Sequence, residues 1–236
     1  MYSNLRVFDL GDYVKIVSVD LKTSSKVDAF QKIKENKENE KKLENNLVRA
    51  KNKINDIALA NDFKYFFTLT FNPDYDRYDL YMLLNKFRNH LKVMCNFGYK
   101  IKYLIVPEQH IDGAWHFHGF FSDDIKSFLY YNSYGYLSIK NMDSLGFVNI
   151  DLIKDKVRVS SYVTKYVVKN MGSGIKKYRN SYFCSTGLKR GEIIYDKIYN
   201  SEFFNQHFFS FRNDFCRRKV ITKEEFKKIR PIVDKL

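Results

Sequence analysis

The 236-residue sequence is poor in cysteine, holds no long apolar run and carries far fewer acidic than basic side chains. Its three cysteines, Cys95, Cys184 and Cys216, are odd in number, far apart and never paired as CxxC. That excludes a disulfide framework and a cysteine-built zinc site, and it fits a reducing, cytoplasmic environment. No stretch approaches the roughly 18 continuous apolar residues of a membrane-spanning helix, and the opening residues lack the charged-then-apolar pattern of a secretory signal, so no membrane partner is expected. There is no GxxxxGK[ST] loop, which leaves no ATPase or helicase module in view. Internal repeats and low-complexity linkers are missing as well.

What is present follows from the charge. The chain has 27 Asp and Glu against 41 Lys and Arg, for a formal net charge of +14, and a protein this basic is expected to meet a polyanion. At 44% hydrophobic residues it can build a sizeable core, which excludes a disordered basic tail. Eighteen Tyr, 21 Phe and one Trp add rings that, interleaved with cations, suit single-stranded nucleic acid, although most of them fill the core.

Along the chain, Tyr13 to Val19 alternates as a short strand and ends in a Ser/Thr/Lys loop. From about Val27 to Asn61 a polar segment without Gly or Pro carries Leu43, Leu47, Ala50, Ile54, Ile57 and Leu59 as one narrow stripe of a long helix. Phe66-Phe-Thr-Leu-Thr-Phe71 alternates in period two and is stopped by Asn72-Pro73-Asp74. Leu80, Leu83, Leu84, Phe87, Leu91 and Met94 follow helical spacing, and Gly98 sits where that helix would end. Lys102 to Val106 and Trp115 to Phe121 read as a hairpin around Asp112-Gly113. Phe147 to Asp151 reads as a strand, and Ser160 to about Asn170 as a compact helix ended by Gly172 and Gly174. Residues 176–236 hold 15 Lys and Arg against 7 Asp and Glu, a net +8. They predict a strand near Glu192 to Ile198, an aromatic helix across Phe203 to Phe215, and a last helix opened by the capping box Thr222-Lys-Glu-Glu225.

Two constellations carry chemistry. His116 and His118 are two apart on a strand, so both point to one face, about 6.6 Å apart along it, where two imidazoles can converge on one ion. Glu108 lies across the turn in hairpin register and can complete a His, His, Glu set, with Pro107 marking an irregular edge. Three such ligands leave positions for water or phosphate oxygens, which suits a catalytic divalent ion. His110 shares the strand parity of Glu108 but, beside the turn, reads as a loop residue. The second constellation is Ser161 to Lys169, where Tyr162, Lys165, Tyr166 and Lys169 share one helical face. A phenol is a poor nucleophile at neutral pH unless cations stabilise its anion, and this face supplies them.

In this order, Phe66-Phe-Thr-Leu-Thr-Phe71, His116-Phe-His118 and Tyr162-Val-Thr-Lys-Tyr166 resemble the three motifs of the HUH endonuclease superfamily, specifically the rolling-circle replication initiators of plasmids and phages. Histidines before tyrosine is the initiator arrangement, and relaxases have the permuted order. The resemblance covers about residues 45 to 190, including Arg49-Ala-Lys51 and Ser185-Thr-Gly-Leu-Lys189. It implies an α+β fold, a five-stranded antiparallel sheet with flanking helices, with the His pair on a central strand and the tyrosine helix laid over it. On that footing residues 1–60 are an N-terminal strand and polar helix, 61–190 the nuclease domain, and 191–236 a basic helical extension.

The activity implied is nicking and rejoining of single-stranded or hairpin origin DNA, helped by Mg²⁺ or Mn²⁺, through a 5′-phosphotyrosine intermediate and a free 3′-OH, in a bacterial host cell. His116, His118 and Glu108 would be the metal ligands, Tyr162 and Tyr166 the nucleophiles of the two-tyrosine subgroup, and Lys165 and Lys169 would orient phosphate. The ester conserves the energy of the broken bond, so no ATP is needed, and a host helicase and polymerase would be partners. Rival readings are a transposase of the same superfamily, a non-catalytic single-strand DNA binder, and a His, His, carboxylate iron oxygenase, the last leaving the charge unexplained.

Overall fold

The computed structural model describes residues 2–21, 34–169, 180–200, 204, 208–212 and 216–236. In chain order these form β1 (Tyr2–Leu10), β2 (Tyr13–Asp20), α1 (Lys34–Ala60), β3 (Phe63–Phe71), α2 (Leu80–Cys95), β4 (Tyr103–Gln109), β5 (Trp115–Ser122), β6 (Leu129–Tyr131), β7 (Leu137–Ile139), β8 (Gly146–Leu152), α3 (Lys156–Lys169), β9 (Phe183–Cys184), β10 (Glu192–Asn200), β11 (Phe211–Arg212), β12 (Cys216–Thr222) and α4 (Lys223–Asp234). The chain divides into two compact units, one of residues 45–58 and 62–188, the other of 1–44, 59–61 and 189–236. No helix among the described residues is long and apolar enough to cross a membrane.

The first unit is α+β, built on a five-stranded antiparallel sheet in the order β8-β3-β5-β4-β9, with β5 in the middle. Period two explains its two faces. Tyr65, Phe67, Leu69 and Phe71 of β3, with Phe117 and Phe121 of β5, point to one side and bury the α2 stripe of Leu80, Leu83, Leu84, Phe87, Leu91 and Met94. The α2 start is capped by Asp79, whose side chain accepts from the Tyr81 and Met82 amides, and Gly98 follows its end with a positive φ of 89°. On the opposite side, Leu104 and Val106 of β4 and Phe120 of β5 pack with Ile54, Ile57 and Ala58 of α1 and Val163, Tyr166 and Val167 of α3. Buried Asn55 donates to Ser160 Oγ at 3.0 Å, which fixes the two helices against each other. The tyrosine helix thus lies over the face that carries the histidines, as expected. It begins earlier than Ser160, because Asp155 Oδ1 accepts from the Arg158 amide and caps it at Lys156. Asn170, Gly172 and Gly174 lie outside the described residues.

The second unit carries a sheet that the sequence pattern does not announce. Its five antiparallel strands run β10-β1-β2-β12-β11, so segments from both ends of the chain share one ladder. Leu5 and Val7 of β1, Val14 and Ile16 of β2, and Ile221 of β12 close a core with Tyr199 of β10, Phe204, and Phe226 and Val233 of α4. The opening residues form two strands and not one: β1 escapes the period-two pattern because its inward positions include the small polar Ser3, which blunts the apolar alternation. Ser3 is held there by donating to Asp20 at 2.6 Å and accepting from Arg217 at 2.9 Å.

The strand expected near Glu192 is β10, and α4 opens with the capping box of Thr222 and Glu225. The aromatic helix expected across 203–215 is corrected. Phe211–Arg212 is instead strand β11, which gains ladder bonds from Arg217 and Arg218 and places the Phe211 ring under the Arg218 guanidinium, 5.2 Å away. Residues 201–203, 205–207 and 213–215 of that stretch lie outside the described residues, as do 22–33 of the N-terminal loop and helix start.

Candidate active site

The β4–β5 hairpin sets the geometry. Its turn is closed by the Gly113 amide donating to the His110 carbonyl at 2.9 Å and the Ala114 amide donating to Asp112 Oδ1 at 3.0 Å, with Gly113 at φ +86° where a side chain would be strained. This turn places Glu108 directly opposite His116 and Val106 opposite His118. Glu108, His116 and His118 therefore share one face, as the parity of the sequence predicts. The carboxylate reaches diagonally: Glu108 Oε2 lies 2.7 Å from His118 Nε2, both side chains buried. Pro107 sits beyond Leu104 and Ile105, the residues that β9 pairs, so its missing amide costs that ladder nothing.

The neighbouring strand adds residues that the sequence pattern does not single out. In the β3–β5 register Thr68 faces His118 and Thr70 faces His116. Thr68 Oγ1 is 3.2 Å from His118 Nδ1, and Thr70 Oγ1 is 3.0 Å from His116 Nδ1. One threonine hydroxyl thus holds Nδ1 of each imidazole, which orients both Nε2 atoms alike. The only signal for this in the sequence is the spacing of two threonines on a strand, which matches the spacing of the two histidines. His110, read as a loop residue, also joins the group: its ring stacks on His116 with centroids 3.6 Å apart, and its Nε2 lies 3.9 Å from Glu108 Oε2. Burial first, then the nearby His110 and His118 rings, push the His116 imidazole down to about 4, so it stays neutral well into acid.

From α3, Tyr166 brings its ring over His118, with centroids 3.7 Å apart and planes 3° from parallel. Its hydroxyl donates to the Tyr162 hydroxyl at 2.7 Å. The two phenols differ sharply in surroundings, since Tyr166 is 8% exposed and Tyr162 44%. Burial, the hydrogen bond to Tyr162 and the charge of Glu108 hold the Tyr166 phenol well above its ordinary range, so it keeps its proton. Phe66, one strand from His118, meets the Tyr162 ring edge-on at 6.0 Å. Lys165 Nζ stands 5.2 Å from the Tyr162 ring centroid. The Lys169 side chain lies outside the described residues.

Among the described residues, no three His, Cys, Asp or Glu side chains already stand at metal-binding spacing. His118 and Glu108 are instead engaged with each other. Two donors about 2.1 Å from one ion sit roughly 3 Å apart or more, whereas 2.7 Å is a hydrogen bond with a proton between the atoms. The donor chemistry nevertheless fits a divalent cation. Two imidazoles whose Nδ1 atoms are engaged by threonine hydroxyls share one sheet face with a buried carboxylate, and a cation held there would have to displace the proton shared by His118 and Glu108 as the three side chains rearrange around it.

All of these side chains fall between β3 and the end of α3. No curated protein and no solved structure matches the chain. Residues 64–171, the span that carries the histidines, the glutamate, the threonines and the tyrosine helix, match the model of a family described as replication-associated protein, and over this span the chain is similar to those replication proteins.

Proposed function

We propose that the protein is a rolling-circle replication initiator of the HUH type that nicks and rejoins single-stranded origin DNA through a tyrosine ester. The observation that carries this reading is the stacking of Tyr166 on His118, which puts the Tyr162–Tyr166 hydroxyl pair beside the His116, His118 and Glu108 cluster. Phosphodiester transfer asks for a nucleophile held in line and for charge withdrawn from the phosphate, and the helix and the hairpin supply one each.

Tyr162 takes the role of nucleophile. It is the exposed phenol, its oxygen receives the Tyr166 hydrogen bond, and its own proton remains to be given up. Tyr162 Oη bonds to phosphorus, the bond from phosphorus to the 3′ oxygen breaks, and the phenolic proton ends on that oxygen as the 3′-OH. Reversal by the same atoms reseals the strand. Tyr166 steadies the phenol and is the nucleophile in reserve for a second strand copy, while Lys165 compensates the phosphate charge. His116, His118 and Glu108 would hold Mg²⁺ or Mn²⁺, which when bound polarises a non-bridging phosphate oxygen. Host helicase and polymerase complete the reading as partners.

Incubation with labelled single-stranded origin DNA and Mn²⁺, followed by a denaturing gel, tests it. Wild type and Tyr166→Phe should give a covalent protein–DNA adduct, and Tyr162→Phe should give none. Absence of an adduct from the wild type with every cognate strand, or an adduct that persists in the Tyr162→Phe/Tyr166→Phe double variant, would overturn the proposal.

A further inference from the structure

The face that carries the histidines continues past them. In register, His116 of β5 neighbours Thr70 of β3, and Thr70 neighbours Phe147 of β8. Cross-strand neighbours share a face, so Phe147 stands on the catalytic side, two strand spacings or ~10 Å from His116. Its alternation partners Val148 and Ile150 point into the α2 core, yet Phe147 is 44% exposed. A phenylalanine in that position gives nothing to the core of the unit.

It does not stand by itself. Tyr136, 50% exposed, meets the Phe147 ring edge-on at 5.6 Å, and the same β6–β7 hairpin holds Tyr131 and Tyr134 at 74% and 79% exposure. The hairpin is stiff. Asn132 Oδ1 accepts from the Tyr134 and Tyr136 amides, each at 3.0 Å, and the Asn132 amide donates to the Tyr136 carbonyl at 2.9 Å. At its base, Tyr130 donates to Asp143 Oδ1 at 2.6 Å, while Ile139, Met142 and Leu145 are buried in the α2 core. Rigid aromatic rings held out to solvent lose little entropy on binding a flat partner.

We infer that Phe147 and Tyr136 form a stacking platform for nucleobases of the single strand that flanks the scissile phosphate. The inference rests on the nicking reading for the class of substrate and names where its bases go. A strand crossing the face at His116 runs straight onto Phe147, and stacking accepts any base because every base has a π-face. Both rings of the T-shaped pair are about half exposed, which leaves ring surface for stacking on each.

Fluorescence anisotropy with a labelled thymidine oligonucleotide, in chelator so that no cleavage occurs, measures this. Tyr136→Ala/Phe147→Ala should weaken binding about tenfold or more, because stacking contributes on the scale of a decade in affinity per base. Phe147→Leu, which keeps bulk without a ring, should weaken it as well, and Phe147→Tyr should restore it. The slope of affinity against salt should not change, since no phosphate contact is lost. On a strand with abasic sites the double variant should bind like the wild type.

A double variant that keeps its melting transition and binds within twofold of the wild type overturns the platform, and so does an equal loss on the abasic strand. Failure of the wild type to retain any single strand overturns the platform together with the substrate class. A platform effect without a covalent adduct upholds this inference and refutes nicking alone.

Discussion

Replacing Gly119 by alanine puts the alignment of β4 and β5 under direct test. Gly119 follows His118 on the middle strand and pairs with Phe67 on one side and Ile105 on the other. A Cβ at this position would stand 2.1 Å from the Leu104 carbonyl oxygen, 2.8 Å from Phe67 Cε1 and 3.1 Å from Ile105 Cα. The first contact is roughly 1 Å short of what real side chains tolerate, and it is with backbone, so no rotamer relieves it. The two strands must part by about that distance. Overpacking of this kind costs about 1–3 kcal/mol, and a strained pair of ladder hydrogen bonds adds about 1 kcal/mol each, for a loss of about 3–5 kcal/mol. At about 2–4 °C per kcal/mol for a protein of this size, melting should fall by about 6–20 °C. Because Glu108 is on β4 and His118 on β5, the same displacement pulls apart their 2.7 Å contact, and adduct formation should collapse even at temperatures where the variant is folded. Differential scanning calorimetry and the nicking assay read the two effects. A Gly119→Ala protein that melts within about 2 °C of the wild type, below the smallest shift expected from the clash, would refute the close-approach argument.

Two further outcomes follow from the same face. Thr68→Val and Thr70→Val should each weaken Mn²⁺ binding about tenfold in calorimetric titration, Thr→Ser at either site should restore it, and unchanged affinity in both valine variants would remove the threonines from the orienting role. His116 predicts a pH window. Its folded imidazole sits at about 4 against an ordinary 6.5, so between these values the unfolded chain binds the extra proton. Its contribution to stability is complete above about 6.5 and is lost as pH falls towards 4, and screening at this partly exposed ring keeps the loss modest. Urea midpoints of wild type and His116→Gln should converge or cross as pH falls through that window, and parallel pH profiles would count against the assignment.

Much of the site is legible in the sequence because its parts obey local periods. His116 and His118 share a face for the same reason that Phe117 faces the core: side chains on a strand alternate. Tyr162 and Tyr166 lie one helical turn apart, which brings their hydroxyls within hydrogen-bond reach once both rings lean the same way. The turn at Asp112-Gly113 announces that Glu108 returns beside His116. His110 shares the parity of Glu108, but beside a turn that parity does not show that its ring folds back to stack on His116. Nor is β1, whose inward Ser3 is stabilised by Asp20 and Arg217 from elsewhere in the chain.

By itself the sequence determined parity and spacing: which residues of each strand or helix point together, and hence that two imidazoles, a carboxylate and two phenols were available as sets. Tertiary structure alone decided how those sets meet. Strand register placed Thr68 and Thr70 against the imidazoles and Phe147 in line with His116, packing of α3 on β4 and β5 set Tyr166 over His118 and buried it while leaving Tyr162 exposed, and pairing of β1 with β10 joined residues nearly two hundred positions apart. The physical reason is range. Side-chain direction follows from the backbone dihedrals of a few neighbouring residues, whereas register and burial are properties of surfaces that exist only once distant segments have packed.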